Sequence, residues 1–267
     1  MHRLLLCLLS VTCLVSSNPA LGSGATATLN PPKVTTAFHI DGELEGAWSN
    51  AAAFDNFAEF MPTHGVAAQV PTEGYIAHDD TNLYVAFICH DPQIDRLRAS
   101  MTDRDGIYRD DFVGIVLDTY RDRKRAYEFF ANPHGIQGDM LWHEGSSDDD
   151  SADAIWQSHG GEDISFDAVW ESAAAIHDDR WIVEMRIPLA SLRYPDQQEQ
   201  DWGVHLVRVY PRENRYEFSW MPISQDNNSF MGQAGGMRLD LAGTAGVAHG
   251  LELIPYVSGS RSDVLVG

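Results

Sequence analysis

The sequence predicts an all-β fold, an antiparallel β-sandwich of the jelly-roll or immunoglobulin-like kind. Three observations carry this. β-branched and aromatic residues recur in many short alternating runs, the runs are divided by Asp, Asn, Gly and Pro, and two of the divisions are tight polar turns between alternating segments. Helical periodicity is confined to "LASLRY" and parts of "DGELEGAWSNAAAF". With 267 residues, 44% of them hydrophobic, the chain can bury a large core, and a sandwich can occupy roughly 200 residues as one domain.

Residues 1–22 open with His2 and Arg3, run apolar through "LLLCLLSVTCLV" and turn small and polar at "SSNPALGSG". This is the pattern of a secretory signal, cleaved after Ser17 or Gly22, and its apolar run is too short to span a bilayer. Ser10 stands where a lipidation signal ahead of Cys13 usually carries Leu, so plain secretion is expected. Cys89 then remains alone in "LYVAFICHD", where it is expected to pack as a small hydrophobe, with no disulfide framework.

The main domain is expected over 30–242. "EGYIAHDDTNLYVAFICHD" predicts a hairpin of Tyr75–His78 and Leu83–Cys89 about the turn Asp79-Asp80-Thr81-Asn82. Phe112–Thr119 and Arg125–Ala131 form a central hairpin across a mixed-charge turn (Asp118, Arg121, Asp122, Arg123, Lys124, Arg125) that is expected to be solvated. "ANPHG" closes the second of these strands as a turn. Gly145–Asp163, rich in acids, Ser and Gly, predicts a long exposed loop. A second hairpin follows, in which Trp170, Ser172, Ala174 and Ile176 alternate, Asp178-Asp179 turns, and Trp181, Val183, Met185 and Ile187 alternate back. Trp202–Tyr210 and Tyr216–Trp220 are the last strands of the domain. Trp48, Trp170, Trp181, Trp202 and Trp220 lie on or beside strands and are expected in the core. From 243 to 267 a small-residue linker leads into "LELIPYVSGSRSDV", read as the first strand of a further β-rich region.

Composition excludes some functions. With 39 acidic against 18 basic side chains and a net charge of −21, the chain repels phosphate backbones, so no nucleic-acid partner is expected. No nucleophile elbow, P-loop, dinucleotide glycine fingerprint or "H-E-x-x-H" occurs, and the eleven histidines lack close metal-ligand spacing and read as surface or turn residues. Asp110, Asp111, Asp139 and Glu144 could supply the carboxyl pair of a glycosidase, but acids are abundant throughout this chain. Asp111 with Asp103 or Asp105 could equally ligate calcium or simply be solvated. A sugar site needs flat aromatic faces flanked by carboxylates, amides and Arg. Tyr108 and Phe230, both in polar loops, are the candidate faces; folding back onto the sheet edge is the even alternative.

Several segments, in order, resemble the family 9 carbohydrate-binding modules: "HIDGELEGAWSNAAAF", "TNLYVAFICHDP", "RDDFVGIVLDT", "YEFFANPHG", "DDRWIVEMRIPLASL", "WGVHLVRV" and "FSWMPISQDNNSF…GGMRL", spanning Phe38 to about Leu241. The resemblance implies a β-sandwich, two clamping aromatics at the positions of Tyr108 and Phe230, and structural calcium. The family's aromatics are tryptophans, and Phe130 stands where it carries a sugar-contacting Arg. Arg208, Asn227 and Asn228 are the substitute donors. The resemblance also extends to large bacterial envelope proteins in which such a module precedes an outer-membrane-barrel-like region. The expectation is therefore a secreted, non-catalytic glycan-binding module of the periplasm or outer membrane. The alternatives are an assembly domain that contacts its own downstream region, and an O-glycosyl hydrolase.

Overall fold

A computed structural model of the chain describes residues 27–145 and 161–241. The expected signal 1–22, most of the Gly145–Asp163 loop and the segment 243–267 lie outside the described residues. The strands, in chain order, are β1 (Thr28–Leu29), β2 (Ala52–Phe54), β3 (Ala58–Met61), β4 (Val66–Ala67), β5 (Thr72–His78), β6 (Asn82–His90), β7 (Phe112–Asp118) and β8 (Arg125–Ala131). They continue as β9 (Gln137–His143), β10 (Glu162–Asp163), β11 (Glu171–Ile176), β12 (Arg180–Pro188), β13 (Glu199–Pro211), β14 (Arg215–Ser219) and β15 (Gly235–Asp240). The two segments with helical periodicity form only short 3-10 turns, at Gly46–Asn50 and Leu189–Ser191.

Two sheets result. The larger runs β10-β9-β8-β7-β13-β14-β3-β4, with β15 on β13 and β1 on β15; the smaller runs β11-β12-β6-β5-β2. Apart from the parallel β1–β15 pair, the strand pairings are antiparallel. Both expected hairpins form, with His78 opposite Leu83 and Ile176 opposite Trp181. The core between the sheets follows the period of two: Val85, Phe87 and Cys89 on β6 and Trp181, Val183 and Met185 on β12 meet Val113, Ile115 and Leu117 on β7, Phe129 on β8 and Val204 and Leu206 on β13. Each such side chain contributes about 1.5–3 kcal/mol by leaving water. Cys89 is fully buried, and burial pushes its thiol up to about 12, leaving it unreactive.

The outer faces of the sheets are covered as well. Phe38 and Trp48 stack on each other at 4.0 Å over Tyr84 and Ala86, closing the smaller sheet. Ile107, Ile223, Phe230 and Met231, from loops, cover Phe112, Val116, Phe130, Met140, Val207 and Val209 on the larger. This double covering explains why β7 is buried at every residue and why its sequence reads as an apolar run rather than an alternation.

Several expectations change. β3, β9 and β15 carry no predicted strand signal, because Glu59, Gly138, Asp139, Gly235 and Gly236 have low strand propensity; pairing and burial override it. Glu162–Asp163, expected in the loop, pairs with Trp142 and Leu141. Asp118 is buried rather than solvated: its carboxylate accepts from the Asp122 and Arg123 amides at 3.3 and 2.7 Å, capping a turn in which Arg121 and Arg123 take positive φ. His78 and His205 are buried, not surface residues.

Candidate functional site on the outer face of the large sheet

The segment leading into β7 and the segment between β14 and β15 carry the two candidate aromatics, Tyr108 and Phe230. Both lie over the outer face of the large sheet, where Tyr108 and Phe230 join a single apolar cluster. Buried polar bonds hold the first segment. Asp110 accepts from Ser100 N (2.8 Å), Ser100 Oγ (2.9 Å) and Asn132 Nδ2 (3.0 Å). Asn132 in turn accepts from the His134 and Ile136 amides, both at 3.0 Å, and so shapes the "ANPHG" turn, with Gly135 at φ 72°. Asn132→Ala strands these partners and should cost about 2–3 kcal/mol, measurable by urea unfolding, with amide exchange faster in residues 98–111 than in β6.

Tyr108 is half-buried. Its ring meets Phe112 and Phe130 edge-on at 6.1 and 6.4 Å. The hydroxyl lies over Gly138, where a Cβ would come within 2.7 Å of it and displace the ring. It donates to Asp105 Oδ1 at 3.4 Å, and burial raises its pKa. Phe130 occupies the space above Gly114, where a Cβ would lie 2.2 Å from the Phe130 ring.

The other expected ligand groups divide. Phe230 is 1% exposed, stacked on His205 at 4.5 Å and edge-on to Trp142 at 5.9 Å. It presents no open face, because its loop folds back and the ring gains more from burial than from exposure. Arg208 is fully buried and points into the sandwich, donating to Pro71 O, Thr72 Oγ1 and His90 O, each at 3.0 Å. It ties the sheets together and offers nothing to a ligand on the outer face. Asn227 and Asn228 are exposed; Asn227 Oδ1 accepts from the Ser229 amide at 3.1 Å.

Asp103, Asp105 and Asp111 do not form one calcium ligand set. Asp103 is exposed and uses its carbonyl to close a turn onto Gly106 N. Asp105, at φ 63°, accepts from Asp139 N at 3.0 Å. Asp111 is fully buried and pairs with Arg212 Nη1 at 2.8 Å. Among the described residues no group of three or more His, Cys, Asp or Glu is arranged to hold a metal.

Three polar residues of this face were not singled out from sequence: His205, Arg215 and Glu217. His205 bonds the Phe230 carbonyl through Nε2 at 3.1 Å. Glu217 accepts from Arg215 Nε at 2.9 Å, and Arg215 Nη1 donates to the Tyr108 carbonyl at 2.8 Å. Their only sequence signal is parity: Glu217 pairs with Val209 and Met61, which face the same side.

The family model for carbohydrate family 9 binding domain-like proteins matches residues 40–228, and the chain belongs to that family. Its fold is shared with solved family 9 carbohydrate-binding modules from Caldicellulosiruptor kristjanssonii. One, in complex with cellotriose, is 16% identical at TM-score 0.54, covering 85% of this chain and all of that one. A second, in complex with glucose, is 18% identical at TM-score 0.54, covering 80% and 95%. A proposed carbohydrate-binding protein from Bacteroides uniformis is similar at TM-score 0.61 and 12% identity, covering 80% and 99%. No curated protein matches the chain.

Proposed function

We propose that this chain is a secreted, non-catalytic carbohydrate-binding module of the periplasm or outer membrane, taking a glycan on the outer face of the large sheet. The observation that carries the reading is that both loops lie over that face, with half-buried Tyr108 and exposed Asn227 and Asn228 offering an apolar surface and amides. Family membership and the sugars in the similar modules support it. A non-catalytic role is supported by the use already made of three of the four candidate acids: Asp110 holds Ser100 and Asn132, Asp111 holds Arg212, and Asp139 pairs with Arg104 and accepts from Ala168 N, while Glu144 is exposed. A glycosidase needs two carboxyl groups facing one bond.

A glycan array with the purified chain tests the reading. A specific hit should weaken at least about tenfold in Tyr108→Ala, about 1.4 kcal/mol, with no hydrolysis of the hit. A second reading, an assembly domain docking on its own downstream region, is favoured by the burial of Phe230 and by Phe130 filling the space over Gly114. It predicts an empty array from a folded chain.

A further inference from the structure

Arg215 links the floor of this face to the backbone of Tyr108. Its guanidinium donates to Glu217 Oε1 at 2.9 Å and to the Tyr108 carbonyl at 2.8 Å. The guanidinium also lies 5.7 Å from the centre of the Phe112 ring, against which Tyr108 packs edge-on. Glu217 is 1% exposed and its second oxygen, Oε2, is buried without a hydrogen-bond partner. A carboxylate in that position holds Arg215 through charge, and a neutral carboxyl holds it far more weakly.

We propose that Arg215 is a positioning residue for Tyr108 and that Glu217 fixes Arg215, so the attitude of the Tyr108 ring toward a ligand follows the ionisation of Glu217. This rests on the glycan-binding reading for its consequence, though not for its geometry. The charged groups bearing on Glu217 are Arg215 from its own strand, which lowers its pKa, and Glu162 from β10, which raises it; burial outweighs both and pushes it up to about 7. From β13 and β3 its opposite residues are Val209 and Met61, which carry no charge. The acids around Tyr108 itself are Asp105, Glu128 and Asp139.

The sign follows from the direction of the shift. Because the folded value lies above the ordinary carboxylate range, Glu217 is neutral below it, which favours the fold, and that contribution fades as pH rises through about 7. The charged grip on Arg215 and hence on Tyr108 is therefore present on the alkaline side and relaxed on the acid side.

The test is a pH titration of the full chain carrying 13C-ring-labelled tyrosine, with the Tyr108 signal assigned from Tyr108→Phe. In the wild type the Tyr108 ring signals should move with a midpoint near 7, and the affinity for cellotriose, the probe, should rise with the same midpoint. Glu217→Gln, nearly the same size, should abolish that midpoint, and Arg215→Lys should retain part of the movement while Arg215→Met retains none. A Tyr108 signal that does not move in the wild type, or a midpoint that persists in Glu217→Gln, overturns the proposal. If Tyr108 follows Glu217 but cellotriose is not bound at any pH, the positioning role stands and the glycan-binding reading loses that ligand.

Discussion

Arg212→Met is expected to destabilise the chain by about 3–5 kcal/mol at neutral pH. Arg212 is 1% exposed at its side chain and bridges two fully buried carboxylates, Asp91 at the end of the small sheet's β6 and Asp111 at the start of the large sheet's β7. Its guanidinium also lies 4.0 Å from the centre of the Tyr210 ring, whose hydroxyl donates to Asp91 Oδ1 at 3.3 Å. Removing the cation leaves two carboxylates in a low-dielectric interior without the cation that pairs them, which is far costlier than losing an exposed pair. Burial already raises the Asp111 pKa despite Arg212, and without Arg212 it rises further. A raised value means that stability is present at low pH and lost as pH climbs through the folded value. The deficit of Arg212→Met relative to wild type should thus be smallest near pH 4 and grow toward pH 7. Urea unfolding at both pH values reads this directly. The triple variant Asp91→Asn, Asp111→Asn, Arg212→Met should recover most of the loss, since it removes the uncompensated charge.

Glu184→Ala should cost about 3–4 kcal/mol, from three stranded donors at roughly 1 kcal/mol or more each. The fully buried Glu184 side chain stands on the outer face of β12 and accepts from Asp41 N (3.0 Å), Gly42 N (2.8 Å) and Trp48 Nε1 (2.7 Å). These bonds dock the "IDG…W" segment, whose Gly42 takes φ 89° where a Cβ would lie 2.6 Å from the Ala174 carbonyl carbon. With the carboxylate gone, Trp48, stacked on Phe38, loses its side-chain hydrogen bond. Thermal unfolding followed by tryptophan fluorescence and by circular dichroism should separate, the Trp48 cover opening before the sheets. Coincident transitions with an unchanged midpoint would show that the apolar stack alone holds this cover.

The sheet hairpins were legible because their residues obey the period of two and their turns carry Asp and Asn: β5–β6 and β11–β12 lie where alternation places them. The ends of the family resemblance were legible for the same reason, as ordered strand and turn motifs. The site was less so. A loop aromatic such as Phe230 gives no sign of which way its ring turns, and its burial against His205 and Trp142 depends on residues 25 and 88 positions away in the chain. Arg208 reads as a free donor in "HLVRV", yet parity within β13 sends it to the inner face with Leu206 and Val204. Applying that parity to β14 would have marked Arg215 and Glu217 as neighbours of Tyr108. In sequence, Asp111 with Asp103 or Asp105 reads equally as an ion site or as a solvated loop; in space each has a different partner.

The central claim is that a glycan binds on the outer face of the large sheet. The most direct test is backbone amide shift mapping of the 15N-labelled chain during titration with cellotriose, or with the array's strongest ligand. The account predicts saturable shifts in residues 101–110 and 221–234, with little change on β5, β6 and β11. Saturable shifts confined to the small sheet, or none with any glycan tested, would contradict it.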